Sequence, residues 1–462
     1  MHATVNTIEP DVVAPQPEPQ LPVRPVAVEP TIRWRLATRI AFRFCGVYFG
    51  LYILATQMVF SMFPWPWGRV PSLGQLPALR TVTSWVATDV FKFPKPLTMF
   101  GGSGDKPYDF ALLALLLAVA VVGTAFWSVL DRRRPNYTTF QKWFRVFLRF
   151  GLGGTMVTYG MVKVFPLQMA YPNLTRLLEP YGHFSLMGVL WADIGASPAY
   201  EMCTGLVELT AGLLLFIPGL TTAGALLTLV ATTQVFMLNM TYDVPVKLFS
   251  GQLIVMSLVL LAPEVKRLFS VVILNRGAGP STQPPLVHSR RGRQIAATAQ
   301  ILAGAWIVGI AFSQGLLGMR SRGPWAPMPP LYGIWIVDKM SIDGVERAPL
   351  ITDSDRWRRV VIQTGSGISF QRMDDTFAPY GTKIDAAAKT IALTKAPVPG
   401  TQNATPPPAG RLAYRQPTSE RLILDGEIDG RKVWMALQTY DRSHFRLEQA
   451  RFRWVQDLPF NR

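Results

Sequence analysis

The chain has 462 residues, of which 49% are hydrophobic and 16% are charged, and its formal net charge is +17. Soluble proteins carry about 25% charged residues, so this composition excludes an ordinary soluble domain and favours a membrane protein. The basic residues cluster beside apolar runs, which indicates membrane topology rather than a groove for nucleic acid. We therefore expect membrane lipid, and no nucleic acid, among its partners.

Apolar stretches dominate the chain after a proline-rich start. Residues 1–32 lack the basic-then-apolar pattern of a secretory signal peptide, and we interpret them as a disordered cytoplasmic tail. Seven stretches of about 20 apolar residues follow, the length that spans a bilayer. These predicted spans lie at 38–62, 109–130, 147–168, 200–217, 220–240, 246–263 and 296–317. The loop between the third and fourth is long enough to hold a short interfacial helix.

Basic residues indicate the orientation of these spans. They precede the first span, and they also fill the loops after the second and the sixth. They are Arg33, Arg35, Arg39 and Arg43; then Arg132, Arg133, Arg134, Lys142 and Arg145; then Lys266, Arg267, Arg276, Arg290, Arg291 and Arg293. With seven spans all three groups fall on one side, which the positive-inside rule assigns to the cytoplasm. We expect an inner-membrane protein with a transmembrane domain at 33–318, a cytoplasmic N-terminus and a periplasmic or extracellular domain at 326–462.

The region 326–462 has a different pattern. Eight or so short runs rich in β-branched and aromatic residues alternate with turn signals such as Asp343-Gly344 and Asp429-Gly430. This pattern predicts an all-β antiparallel barrel or sandwich. The stretch 396–410 is expected to be a flexible loop.

Polar side chains from several spans concentrate near their outer ends. They are Gln57, Tyr159, Lys163, Glu201, Glu208, Gln234, Asn239, Asp243, Lys247 and Gln252. Ionisable groups in hydrocarbon cost about 2.5–3.5 kcal/mol and usually face a bundle interior or a cavity. The concentration predicts a polar pocket that opens outward, suited to a redox headgroup, a proton relay or a small polar substrate.

Simpler interpretations stand beside this one. Glu201, Asp243 and Lys247 lie close enough to the interface to be ordinary rim charges. For Gln57 and Gln234 the preferred interpretation is a hydrogen bond between helices. Glu208 differs because it lies midway along its span, where a buried and networked role is expected. Tyr159 and Lys163 are four residues apart and share a helix face.

The sequence lacks the motifs of several common metal and nucleotide sites. There is no CxxC or HExxH motif, no P-loop and no pair of membrane histidines, so no metal or nucleotide site is expected. The glycine-rich GGSGDK at 101–106 does not match a P-loop.

Two stretches resemble the DoxX/DoxD-like membrane family: RFGLGGTMVTYGMVKVF at 149–165 and ELTAGLLLFIPGLTTAGALLTLV at 208–230. The resemblance covers about 120 residues. It implies a four-helix core to which this chain adds two spans before and one after, and Lys163 and Glu208 match features of the family. The opening Gly333-Ile334-Trp335 also resembles the start of lipocalin-type barrels, with Trp335 expected in the core.

The family resemblance implies membrane redox chemistry with a quinone, as an oxidoreductase or one of its subunits. On this hypothesis Glu208 accepts or relays a proton, Lys163 and Tyr159 bind the headgroup, and the other seven polar residues line the pocket. The partner would be a periplasmic or membrane redox protein. Two alternatives remain open: a non-catalytic scaffold or assembly factor whose β domain recruits a periplasmic partner, and, with less support, a transporter.

Overall fold

The computed structural model describes residues 33–66, 70–95, 97, 104–281, 283–365, 367–395, 406–449 and 452–458. The predicted tail at 1–32 and most of the predicted loop at 396–410 lie outside these ranges, as do the first three residues of GGSGDK.

The part of the chain before the β domain is helical. Its helices are α1 Leu36–Ala55, α2 Met58–Met62, α3 Pro77–Trp85, α4 Pro107–Leu130, α5 Thr138–Val164, α6 Leu174–Leu178, α7 Leu186–Ala196, α8 Pro198–Phe216, α9 Thr221–Thr241, α10 Lys247–Leu261, α11 Val265–Leu268 and α12 Arg290–Ser321, and a last helix, α13 Arg446–Gln449, follows the β domain. The long loop, expected to hold one short helix, holds two, α6 and α7.

Six of these segments are long and apolar enough to cross a membrane. They are Leu36–Ala55, Pro107–Leu130, Pro198–Phe216, Pro218–Thr241, Lys247–Ile273 and Arg290–Ser321. Length and composition therefore confirm a multi-pass helical bundle. The predicted span at 147–168 corresponds to α5, which has 27 residues but carries four basic side chains, Lys142, Arg145, Arg149 and Lys163.

Helix α5 nevertheless runs through the same layer as the apolar helices. Near the middle of α5, Arg149 contacts Leu215 at the end of α8, and near the end of α5, Lys163 contacts Glu208. The two helices are thus antiparallel neighbours over most of the length of α8. Helix α5 therefore lies alongside a candidate membrane span over this distance.

Glycines bring the backbones of α5 and α8 into contact. A Cβ atom on Gly160 would lie 2.5 Å from the backbone nitrogen of Leu209, and one on Gly205 would lie 2.7 Å from the carbonyl oxygen of Gly160. Two turns away, a Cβ on Gly212 would lie 2.8 Å from the carbonyl oxygen of Gly153. Small residues at such a crossing let helices pack closely in a membrane.

The two ends of the bundle differ in chemistry. At the end we call the basic end, Arg39 and Arg43 of α1 bind the turn between α4 and α5. Arg39 donates to the carbonyl oxygen of Arg134 at 2.8 Å. Arg43 is 1% exposed and donates to the Tyr137 hydroxyl, to Ser128 Oγ and to the Asp131 carbonyl. The opposite, barrel end carries the β domain.

The β domain is a closed antiparallel barrel of eight strands with one short additional strand. Its strands are β1 Gly333–Ile342, β2 Val345–Glu346, β3 Trp357–Gln363, β4 Gly367–Arg372, β5 Phe377–Asp385, β6 Thr390–Lys395, β7 Pro408–Thr418, β8 Arg421–Ile428 and β9 Arg431–Thr439. From β3 to β9 each strand pairs with the next, β3 pairs with β1, and β1 pairs with β9 from Trp335↔Thr439 to Ile342↔Val433, which closes the ring. The short β2 folds back and pairs antiparallel with the end of β1.

The two turns predicted from Asp-Gly pairs both form. The first joins β1 to β2 and the second joins β8 to β9. Their φ angles are positive, 51° and 81° for Asp343 and Gly344, and 52° and 80° for Asp429 and Gly430. Paired positive φ angles are the signature of the two-residue hairpin turn that matches strand twist.

The barrel interior is packed with its own side chains. Trp335 is 3% exposed, as predicted for a core residue, and its indole N–H donates to the carbonyl oxygen of Leu331. Around it lie apolar residues from all eight barrel strands, among them Met340, Phe370 and Leu412, and those of β5 are partly buried. An interior filled in this way is a core rather than a ligand cavity.

The barrel docks on the loop between α5 and α8. Leu174 of α6 is buried against Ile334 and Val361 on the outside of the barrel. Beside them, the backbone N–H of Thr175 donates to Gln363 Oε1 at 3.3 Å, and Gln363 Nε2 donates to the Thr175 hydroxyl at 3.2 Å. The loop therefore joins the bundle to the barrel.

We predict that Gly205→Ala will destabilise the bundle because its methyl group collides with the backbone of α5. Overpacking of this kind costs about 1–3 kcal/mol, measured as a lower midpoint of thermal unfolding in detergent. The matched control is Gly309→Ala in α12, where nothing lies within 4 Å of the added Cβ. Alanine has the higher helix propensity, so the control should be neutral or slightly stabilising. Equal effects of the two substitutions would contradict the close crossing of α5 and α8.

Candidate functional site

The centre of the candidate site is an ion pair between Lys163 and Glu208. The Lys163 ammonium donates to Glu208 Oε1, and both side chains are buried, with 7% and 8% of their surface exposed. The pair lies beside the crossing of Gly160 and Gly205, where the added Cβ of Gly205 would lie 2.7 Å from Lys163 Cβ. The glycines thus let the two charged side chains meet between the helices.

Glu201 lies two turns before Glu208 on the same helix and is fully buried. Its Oε1 accepts hydrogen bonds from the backbone N–H groups of Gln168 at 3.2 Å and Met169 at 2.9 Å. These amides follow the end of α5, so Glu201 holds the first residues of the loop that carries the barrel. Lys163 also acts on Glu201 electrostatically.

This cluster can exchange a proton. Two carboxylates and one ammonium leave one unit of negative charge in a buried place, and binding of a proton neutralises it. Glu201 Oε2 and Glu208 Oε2 are buried and have no hydrogen-bond partner among the described residues. Each is an oxygen atom at which a proton can bind.

A second polar pair forms where the first predicted span breaks. Helix α1 ends at Ala55 and α2 begins at Met58, so Gln57 lies between two helices. Gln57 Nε2 donates to the Tyr159 hydroxyl at 3.0 Å. A phenol that accepts one hydrogen bond still has its own hydrogen to donate. No acceptor for that hydrogen is found among the residues that the structure describes.

Two cavities meet at this pair. The larger, of about 330 Å³, has apolar walls that include Leu112, Leu116 and Phe249. Its polar lining includes Gln57, Ser72, Gln75, Asp105, Lys106 and Asp109. The smaller, of about 220 Å³, is lined by Tyr159, Thr158, Gln314 and apolar groups that include Trp65, and it shares Gln57 and Phe60 with the larger cavity. Apolar walls with a few converging polar groups are typical of small-molecule sites.

Asp105 builds one wall of the larger cavity. Its carboxylate accepts from the backbone N–H of Lys247 at 2.7 Å and of Leu248 at 2.8 Å. It therefore satisfies free amides in the first turn of α10 from a distant part of the chain. The Lys247 ammonium pairs with Asp243 at 2.9 Å, and 81% of the Asp243 side chain is exposed. Asp243 and Lys247 thus form a rim pair, the simpler of the two interpretations.

The remaining predicted residues do not join the cluster. Asn239 is buried and donates to Ser250 Oγ at 3.0 Å and to the carbonyl oxygen of Val246, so it fixes the turn between α9 and α10. Gln234 is exposed on the surface of α9. Gln252 is half-buried, and its Oε1 has no partner in the described part of the chain.

The ten predicted residues therefore divide into separate networks rather than one pocket. Lys163 contacts Glu208, Tyr159 contacts Gln57, and Asp243 contacts Lys247. Sequence reasoning missed Asp105, although an Asp-Lys-Pro sequence just before an apolar run is a helix-start signal. It also missed Arg149, a basic residue inside a predicted span. Among the described residues, no group of His, Cys, Asp and Glu side chains is arranged to hold a metal ion.

Comparison with known proteins adds no relative. No protein-family model matches the sequence, and neither the curated proteins nor the solved structures give a match. The resemblance to the DoxX/DoxD-like family therefore depends on the quoted residues alone.

We predict that Glu208→Gln will destabilise the protein because it leaves the Lys163 ammonium buried without its counter-ion. Removing one member of a buried pair costs about 3–5 kcal/mol. The double variant Lys163→Met/Glu208→Met should recover most of this loss, since an apolar pair needs no neutralisation. Thermal unfolding of the single and double variants in detergent measures both effects.

The control for this prediction is Asp243→Asn. It breaks the ion pair with Lys247, in which Asp243 is largely exposed, and should change stability little. A double variant as unstable as the sum of the single variants Lys163→Met and Glu208→Met would show that Lys163 and Glu208 do not interact.

Proposed function

We propose that this chain is an inner-membrane protein related to the DoxX/DoxD-like family that binds a quinone-like or lipid-like molecule in the cavities at Gln57 and Tyr159. The observation that carries this proposal is the Tyr159 hydroxyl, which lines a cavity and has a hydrogen free to donate. A carbonyl oxygen on the headgroup of a quinone is a matching acceptor. The apolar walls suit the ring and tail of such a molecule.

The ion pair supplies the second part of the proposed function. Lys163 lies one turn along α5 from Tyr159, and neither Lys163 nor Glu208 lines the two cavities described here. Their role is therefore to take up or release a proton near the headgroup rather than to bind it. Reduction of a quinone consumes two protons and two electrons, and the electrons would come from a periplasmic or membrane redox protein.

In the proposed orientation the basic end faces the cytoplasm and the barrel lies outside. The clustered arginines support this through the positive-inside rule. Part of that cluster, Arg39 and Arg43, is bound to the α4–α5 turn and so also serves the fold.

A non-catalytic scaffold is the second candidate function. The observation that favours it is the surface of the barrel, where Val345, Leu350 and Ile351 are 62%, 58% and 78% exposed near one hairpin. Exposed apolar residues close together are typical of protein contact sites.

The proposed ligand can be tested on purified protein in mild detergent by extracting bound small molecules and identifying them by mass spectrometry. We expect a quinone-like molecule in the parent protein and its loss from Tyr159→Phe and Gln57→Leu at equal protein yield. Gln234→Leu is the matched control, because it makes the same change on the exposed face of α9 and should retain the ligand. Bulk phospholipid alone, unchanged by all three substitutions, would contradict the proposal and favour the scaffold.

The role of the ion pair is tested on the same preparations. Lys163→Met/Glu208→Met is expected to fold and to bind the ligand but to lose ligand reduction by a small reductant. Reduction at the parent rate would limit the pair to a structural role.

The orientation can be tested with a reporter enzyme that is active only outside the cytoplasm. Fused after Arg462 it should be active, and fused after Asn275, between α10 and α12, it should be inactive, because seven crossings place these points on opposite sides. Activity at both points or at neither would mean that α12 does not cross. Activity after Asn275 alone would reverse the orientation.

A further inference from the structure

Two arginines of α5 lie at the basic end without a full set of partners. Arg149 is 4% exposed. It donates from Nε to the carbonyl oxygen of Leu215 at 2.8 Å and from Nη1 to Gln300 Oε1 at 3.1 Å. The first bond satisfies a carbonyl at the end of α8, a common role for a basic residue. Arg145 lies one turn earlier and therefore on the same face of α5.

Both guanidinium groups keep a buried nitrogen that is unsatisfied. Arg149 Nη2 and Arg145 Nη1 have no hydrogen-bond partner within the described ranges, and neither residue forms an ion pair there. The carboxylate that acts on Arg145 electrostatically is Glu264. Glu264 is already engaged, because it accepts from Arg267 at 3.1 Å and from the Ser281 hydroxyl.

Among the described residues, therefore, no unengaged carboxylate balances the charge of these two arginines. Two guanidinium groups one helical turn apart repel each other. Burial of a charge that lacks a partner is strongly unfavourable. An anion bound between the two groups would remove both costs, and a phosphate is the anion whose oxygens match the guanidinium fork.

The surroundings favour a phosphate that carries acyl chains. Gln300, the partner of Arg149, lies on α12, whose neighbouring residues Ile301 and Leu302 are 47% and 64% exposed. These side chains would meet acyl chains while the headgroup lies at the end of the bundle. Basic pockets between helices at the cytoplasmic side of a membrane are typical sites for anionic lipid headgroups.

We propose that Arg145 and Arg149 bind the phosphate of an anionic phospholipid at the basic end of the bundle, with its acyl chains along α12. This site lies at the opposite end of α5 from the cavities at Tyr159. The bound lipid neutralises the paired guanidinium groups and ties α5, α8 and α12 together.

The test is thermal unfolding of the full-length protein in detergent after delipidation, with phosphatidylglycerol, phosphatidylcholine or inorganic phosphate added. We expect phosphatidylglycerol to raise the unfolding midpoint well above the effect of phosphatidylcholine, and inorganic phosphate to have no effect. Arg145→Gln and Arg149→Gln should each weaken the apparent affinity for phosphatidylglycerol about tenfold or more, the loss of one charged hydrogen bond.

Arg43→Gln is the matched control. Arg43 is equally buried at the same end, but its guanidinium has partners on all three nitrogens. Its substitution should lower stability and leave the response to phosphatidylglycerol unchanged. Arg145→Gln keeps the test valid if Arg149→Gln fails to fold, because Arg145 makes no hydrogen bond that the substitution would break in the described structure.

Three results would overturn the proposal. They are a response to phosphatidylglycerol that survives both substitutions, an equal response to phosphatidylcholine, and an equal response to inorganic phosphate. The last would assign the site to free phosphate instead of a lipid.

Discussion

The cost of placing charge in an apolar layer is the constraint on which this structure depends. Lys163 and Glu208 meet that cost by pairing with each other, and they can pair because Gly160 and Gly205 bring their helices into backbone contact. The pair and the crossing are therefore one feature: wider helix spacing would separate the charges, and an unpaired charge would disfavour the close packing. The buried guanidinium of Arg43 is instead stabilised by hydrogen bonds to hydroxyl and carbonyl groups at the α4–α5 turn.

Helix α5 carries several of the polar and charged side chains of the bundle and packs against several other helices. It contributes Arg149, Tyr159 and Lys163, and it packs against α8, α2 and α12. A helix with this many polar groups is stable in the layer because its neighbours surround it, while the apolar helices cover the outside. The basic side chains of α5 make it less apolar than the six candidate spans. It nevertheless lies beside α8 over most of the length of α8.

The sequence predicts the architecture more fully than the site, and the difference has a physical cause. Apolar spans and turns are determined by residues close together in sequence. The spans, the Asp343-Gly344 and Asp429-Gly430 turns and the buried Trp335 could therefore be predicted. Tertiary packing decides which face of a helix is buried. In a helix that is apolar all round, the sequence does not show which face that is. Gln234 therefore lies on the exposed surface of α9, whereas Asp105 caps α10 across 142 residues of chain.

Helix α8 connects the buried charges to the barrel. On α8, Glu208 binds Lys163, and two turns away Glu201 holds the amides of Gln168 and Met169. The loop that starts there continues to α6, where Leu174 and Thr175 dock on β1 and β3. The interior formed by the described barrel strands is filled by their own side chains. The position of the barrel relative to the bundle is fixed in part through Glu201.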